Sequence, residues 1–172
     1  AILGKGGATG RMHTHYYGSA MENSINLAKG DDSNFKRGED WIYLPVSDEI
    51  SASAFPGFEK QHKYLVGLGK INYTPKIGDI AMAPSEAKSG IHGDIVTSKG
   101  RIGGNVRGSK VDVRTKKTKI QAIVTKNPAA VDQFINKTRQ TSQQRPVAGE
   151  TGVEVPTREG VMQTVNKKYL QN

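Results

Sequence analysis

Apolar positions first recur at helical spacing between Ser19 and Lys29. Ala20, Met21, Ile25, Leu27 and Ala28, with Ser24 among them, predict a mostly apolar and largely buried helix. Ser19 and Glu22 read as a capping box at its start, and Gly30 as its stop. A polar loop over 31–40 precedes the apolar run Trp41-Ile42-Tyr43-Leu44, a strand or buried turn ended by Pro45. Phe58, Leu65 and Leu68 predict a second helix from Pro56 to Leu68, with Gly67 and Gly69 at its end. His62 stands in it between Lys60 and Lys63 and is expected to be solvated.

From Ile77 the pattern becomes strand-like. Short β-branched runs cover Ile80–Ala83, Ile95–Thr97, Arg101–Val106, Val111–Arg114 and Lys119–Thr125, separated by Gly and Ser clusters. Ile120, Ala122 and Val124 alternate with Gln121, Ile123 and Thr125, which predicts a sheet with one face better buried. Asn127-Pro128 then signals a third helix, with Val131, Phe134, Ile135 and Thr138 on one side. The stretch 140–160 reads as an extended connector, and 161–170 as a last short element. Helices, then a meander of strands, then a helical tail make an α+β domain. The expected division is an N-terminal arm over 1–18, an α+β domain over 19–126, and a C-terminal helix with tail over 127–172.

The net charge of +9 is unevenly placed. Residues 1–98 sum to −1 and residues 99–172 to +10. A basic region of this kind suits an anionic polymer or an acidic protein. No aromatic residue is interleaved between Lys99 and Lys126, which makes single-stranded nucleic acid the less fitting partner. With no cysteine in the chain, disulfides, Cys-ligated zinc and thiol catalysis are excluded for this molecule. No apolar run approaches the roughly 20 residues of a membrane span. Ala1-Ile2-Leu3 leads directly into Gly-rich sequence without the pattern of a signal peptide.

Two motifs carry candidate chemistry. Gly78-Asp79-Ile80 opens one strand, and His92-Gly93-Asp94-Ile95-Val96-Thr97 makes the next. With the helix from Ser19, the segment up to about Val113 resembles the NlpC/P60 and CHAP branch of the papain-like peptidoglycan hydrolases. The resemblance implies a papain-like fold, with an N-terminal helix packed on a small antiparallel sheet and a basic C-terminal tail. It implies His92 as general base and Ser19 at the place of the family's nucleophilic cysteine. Asn105, on the strand Arg101-Ile102-Gly103-Gly104-Asn105-Val106, becomes the residue that orients the imidazole. A helix N-terminus favours an ionised nucleophile, and a base held by a third group takes the proton. Asp79 is expected to be structural, its carboxylate bonded to local turn amides.

The function so implied is cleavage of peptidoglycan by a peptidase or amidase, or a degenerate relative without catalysis. Such a protein would be secreted or virion-associated and need no cofactor. Its basic region over 99–172 would engage peptidoglycan or another anionic polymer, and its tail a protein partner. One alternative is a structural or assembly protein of a virus or complex. Another starts from His15-Tyr16-Tyr17-Gly18-Ser19-Ala20-Met21-Glu22, which is similar to the His-x-x-Gly-x-Ala-x-Asp motif of zinc D-Ala-D-Ala peptidases, with Glu22 in place of Asp. In that reading His15, Glu22 and His92 would hold a zinc ion that activates water.

Overall fold

The computed structural model describes residues 18–52, 57–85, 90–106, 110–113, 118–144, 153–156 and 162–165; at 104–106, 110–112, 144, 153–156 and 162–165 it describes the backbone alone. Three helices and eight strands follow in the order α1 (Gly18–Ala28), β1 (Ile42–Pro45), α2 (Phe58–Gly67), β2 (Ile80–Pro84), β3 (Ile91–Thr97), β4 (Gly100–Val106), β5 (Lys110–Val113), β6 (Ala122–Thr125), α3 (Pro128–Gln144), β7 (Val153–Pro156) and β8 (Met162–Val165). The fold is α+β.

The main sheet has six antiparallel strands in the order β1-β6-β2-β3-β4-β5. Strands β2 to β5 form the expected meander. The chain then returns across the sheet and inserts β6 between β1 and β2. Register follows the apolar pattern. Ile80 pairs with both Ile95 and Val124, so these residues share one face with Met82 and Ala122.

The centre of the sheet departs from the alternating pattern. Every residue of β1 and β6 is buried, as are Ile80 to Ala83 of β2. Both faces are therefore covered there, and Ile123 and Thr125 are as deeply buried as Ala122 and Val124. Strand β3 is buried mainly through Ile91 and Asp94.

Each helix follows from its apolar stripe. Helix α1 buries Ala20, Met21, Ser24, Ile25 and Leu27 against β1. Ser24 Oγ accepts from Tyr43 N at 2.7 Å and donates to Tyr43 O at 2.8 Å. One side chain thus satisfies both backbone groups of Tyr43 on the outer edge of β1, where no described strand pairs. Helix α2 buries Phe58, Gln61, His62 and Leu65, one face at three- and four-residue spacing. Helix α3 adds Ala130, Val131 and Phe134 to the same core as the sheet. It runs on to Gln144, so the first residues of the expected connector are helical. The last short element is β8, paired antiparallel with β7 in a separate two-stranded sheet.

The structure departs from the sequence-based expectation at two residues. His62 is fully buried rather than solvated. It lies four residues after Phe58 and three before Leu65, and that spacing outweighs the flanking lysines. Ser19 is the second residue of α1 rather than its cap.

No helix among the described residues is long and apolar enough to cross a membrane.

Candidate functional site

The Gly-Asp turn is built first, because it sets the start of β2. Gly78 has φ 94, a left-handed conformation that glycine adopts without steric cost, and a Cβ there would meet nothing within 4 Å. Asp79 is buried behind it. Its Oδ2 accepts from Lys76 N at 2.8 Å and from Tyr73 O–H at 2.8 Å, and its Oδ1 accepts from Thr125 O–H at 2.6 Å. Asn127 extends the network, its amide nitrogen reaching Tyr73 Oη at 3.3 Å while its Oδ1 accepts Ala129 N–H and so caps α3. Burial and the neighbouring Asp79 carboxylate hold the Tyr73 phenol above its ordinary range. With all these donors on it, Asp79 joins the turn, β6 and the start of α3.

Strand β3 alternates strictly. Ile91 and Ile95 belong to the core side, while His92 and Asp94 point to the opposite face. His92 and Asp94 are therefore neighbours two residues apart, and His92 Nδ1 lies 2.9 Å from Asp94 Oδ1. The carboxylate accepts, so Nδ1 carries the proton in this contact. The Asp94 side chain is 0% exposed and that of His92 13%.

The strands on either side make room for the pair. Ala83 stands beside His92 and Ala81 beside Asp94 on β2. On β4, extending the register Ile95↔Ile102 by one step brings Gly103 opposite Asp94. Strand neighbours on one face have Cβ atoms about 5 Å apart, so larger residues at these positions would crowd the imidazole.

A second histidine is fixed in a different manner. His62 Nε2 lies 2.9 Å from Ser47 O, and Nδ1 lies 2.6 Å from Tyr43 Oη. A carbonyl can only accept, so Nε2 bears the proton and the Tyr43 hydroxyl donates to Nδ1. Burial holds the His62 imidazole below its ordinary range and the Tyr43 phenol well above its own. Phe58 packs edge-on to the Tyr43 ring at 5.4 Å. This cluster locks a neutral imidazole in the core.

The remaining expected site residues are placed as follows. Ser19, half-buried, lies in the first turn of α1, among the backbone N–H groups that have no partner within the helix. The α1 helix packs on β1, and β6 and β2 separate β1 from β3 in the sheet. Asn105 lies on β4, and its side chain is outside the described residues. The group that holds His92 Nδ1 is Asp94. That partner was legible: residues two apart on a strand share a face, and the motif reads His92-Gly93-Asp94.

For the zinc reading, Glu22 is on α1 and His92 on β3, while His15 is outside the described residues. Among the described residues, no group of three His, Asp or Glu side chains could hold a metal ion.

Of the basic region, Lys99, Lys119, Lys126, Lys137 and Arg139 are exposed. Lys126 Nζ sits 5.3 Å from the centre of the Trp41 ring, a cation–π contact at the end of the sheet. Arg101 reaches the crossover that leads into β6, its Nη2 donating to Thr118 O at 3.2 Å and to Thr118 Oγ1 at 3.3 Å.

Compared with protein-family models, with curated proteins and with solved structures, the chain matches none.

Proposed function

We propose that this protein is a papain-like peptidoglycan hydrolase, or a descendant of one, whose base is His92. The observation that carries the reading is the imidazole held through Nδ1 by a buried carboxylate on its own strand. A His–Asp contact of that kind selects the tautomer in which Nε2 exchanges the proton, and it stabilises the imidazolium that forms during transfer. In this reading Asp94 has the orienting role that the resemblance would give to Asn105. Ser19 supplies the nucleophile position in the first turn of α1, where unpaired N–H groups and the helix dipole stabilise negative charge.

The serine decides how far the chemistry goes. A serine hydroxyl is far harder to ionise than a cysteine thiol, so this chain is a slow hydrolase or has kept the fold for binding. The exposed lysines beyond residue 98 suit an anionic wall polymer, and electrostatic retention there would serve either case.

A muralytic assay tests the catalytic version, on the chain and on a Ser19→Cys variant. Turnover that rises with Ser19→Cys and vanishes on adding His92→Ala is the expected result. If both proteins stay inactive with the fold intact, the catalytic version is wrong. If the native chain binds cell-wall sacculi but only the cysteine variant cuts them, it is a non-catalytic descendant.

A further inference from the structure

We propose that Gly103 is a positioning residue for the His92–Asp94 pair, kept without a side chain so that carboxylate and imidazole can lie against β4. Its catalytic meaning rests on the reading of His92 as a base, but the geometry stands without it. A Cβ built on Gly103 would overlap Asp94 Oδ1 outright. It would also lie 2.7 Å from His92 Cε1 and 3.1 Å from Asp94 Cγ. A methyl group at this position thus meets both members of the pair at once.

The backbone does not explain the glycine. Gly103 is not among the glycines with positive φ, whereas Gly78, Gly90 and Gly100 are. Any L-residue could adopt its conformation, so the requirement is for space. Strand β4 is paired regularly up to Gly103, beyond which its register with β5 shifts. Ile102 is paired on one side with Ile95 and on the other with Val113, and Gly103 itself is paired with Asp112. Asp94 is fully buried, which leaves its carboxyl little volume to turn into. The side chains must yield, and what they give up is the 2.9 Å contact between Nδ1 and Oδ1.

The test reads the imidazole directly. In proton–nitrogen NMR of the native chain, His92 should show an Nδ1–H proton held by its acceptor. Gly103→Ala should remove that signal, as Asp94→Ala should, while amide resonances far from β3 and β4 keep their positions. In the Ser19→Cys background, Gly103→Ala should lower kcat about 100-fold with little change in KM, the pattern of a misplaced base rather than of lost binding. Retention of the Nδ1–H signal in Gly103→Ala would overturn the proposal.

Should Gly103→Ala fail to fold, Asp94→Ala/Gly103→Ala should fold, because it removes the carboxylate that the methyl group overlaps and gives the imidazole, 2.7 Å from that methyl, room to turn aside. Failure of that double variant, or stability costs of the two substitutions that simply add, would also overturn it. An inactive Ser19→Cys protein whose Nδ1–H signal is still lost in Gly103→Ala rejects the hydrolase reading and leaves the positioning role standing.

Discussion

The half of the sheet formed by β1, β6 and β2 is buried on both faces, whereas β3 is buried mainly at Ile91 and Asp94, and each has its histidine: His62, which α2 sets against Tyr43 of β1, and His92, on β3 itself. In the first half, His62 is closed off between a phenol and a carbonyl, both uncharged. Neither partner stabilises a positive ring as a carboxylate would, and burial opposes the charge. In the second half, His92 leans on a carboxylate and keeps part of its side chain in contact with solvent. The same residue type is a structural pin in one place and the proposed base in the other. What separates them is the chemistry of the partner and the distance from water.

The largest effect should come from removing the pin. His62→Ala leaves a cavity and strips partners from the Tyr43 hydroxyl and the Ser47 carbonyl, so it should cost about 3–5 kcal/mol in urea unfolding. A loss under about 1 kcal/mol would mean that the ring does not pin the core. Next comes Ser24→Ala. It deprives both backbone groups of Tyr43 of their partner, and the expected cost is about 1–3 kcal/mol. It also leaves the outward N–H and C=O of Tyr43 unpaired on the edge of β1, so size-exclusion chromatography should show more association for the variant than for the native chain.

Much of this arrangement is legible in the sequence, because period and punctuation decide it. The helix starting near Ser19, the Gly78-Asp79 turn and the Asn127 cap all emerge from local rules. What local rules miss is tertiary. His62 reads as solvated beside Lys60 and Lys63, yet both its ring bonds go to residues 15 and 19 positions away. The burial of Ile123 and Thr125 depends on β6 being inserted between β1 and β2, a long-range event with no local signal. In the candidate site, the His92-Asp94 pairing could have been read from strand alternation. The need for Gly103 could not, since it arises only when β4 is laid against β3.

Acid acts on the pin as well. Burial holds the folded-state pKa of His62 below the unfolded value of about 6.5. Between those two values the unfolded chain binds the extra proton, so stability falls as pH drops below about 6.5 and levels off once pH passes the folded value. His62→Gln can still donate to Ser47 and accept from Tyr43, but it has no proton to take up. The loss of stability between about pH 7.5 and pH 5.5 should therefore be smaller in His62→Gln than in the native chain, as read by urea unfolding at each pH. Equal losses in the two proteins would assign the acid response to other groups.

The smallest expected effect lies in the open half and tests whether it tolerates what the closed half does not. Among the described residues, Arg101 Nη1 is a buried nitrogen without a hydrogen-bond partner. The contacts of its Nη2 to Thr118 are long, and Thr118 is itself partly exposed. Replacing Arg101 with Met removes the desolvation cost of the unpaired nitrogen and keeps most of the aliphatic stem. Water can then take the place of the guanidinium at Thr118. These terms oppose each other, so Arg101→Met should change stability by less than about 1 kcal/mol in either direction. A loss comparable to that of His62→Ala would show that the crossover into β6 is held by this one side chain, and the contrast between a rigid and a permissive half of the sheet would then fail.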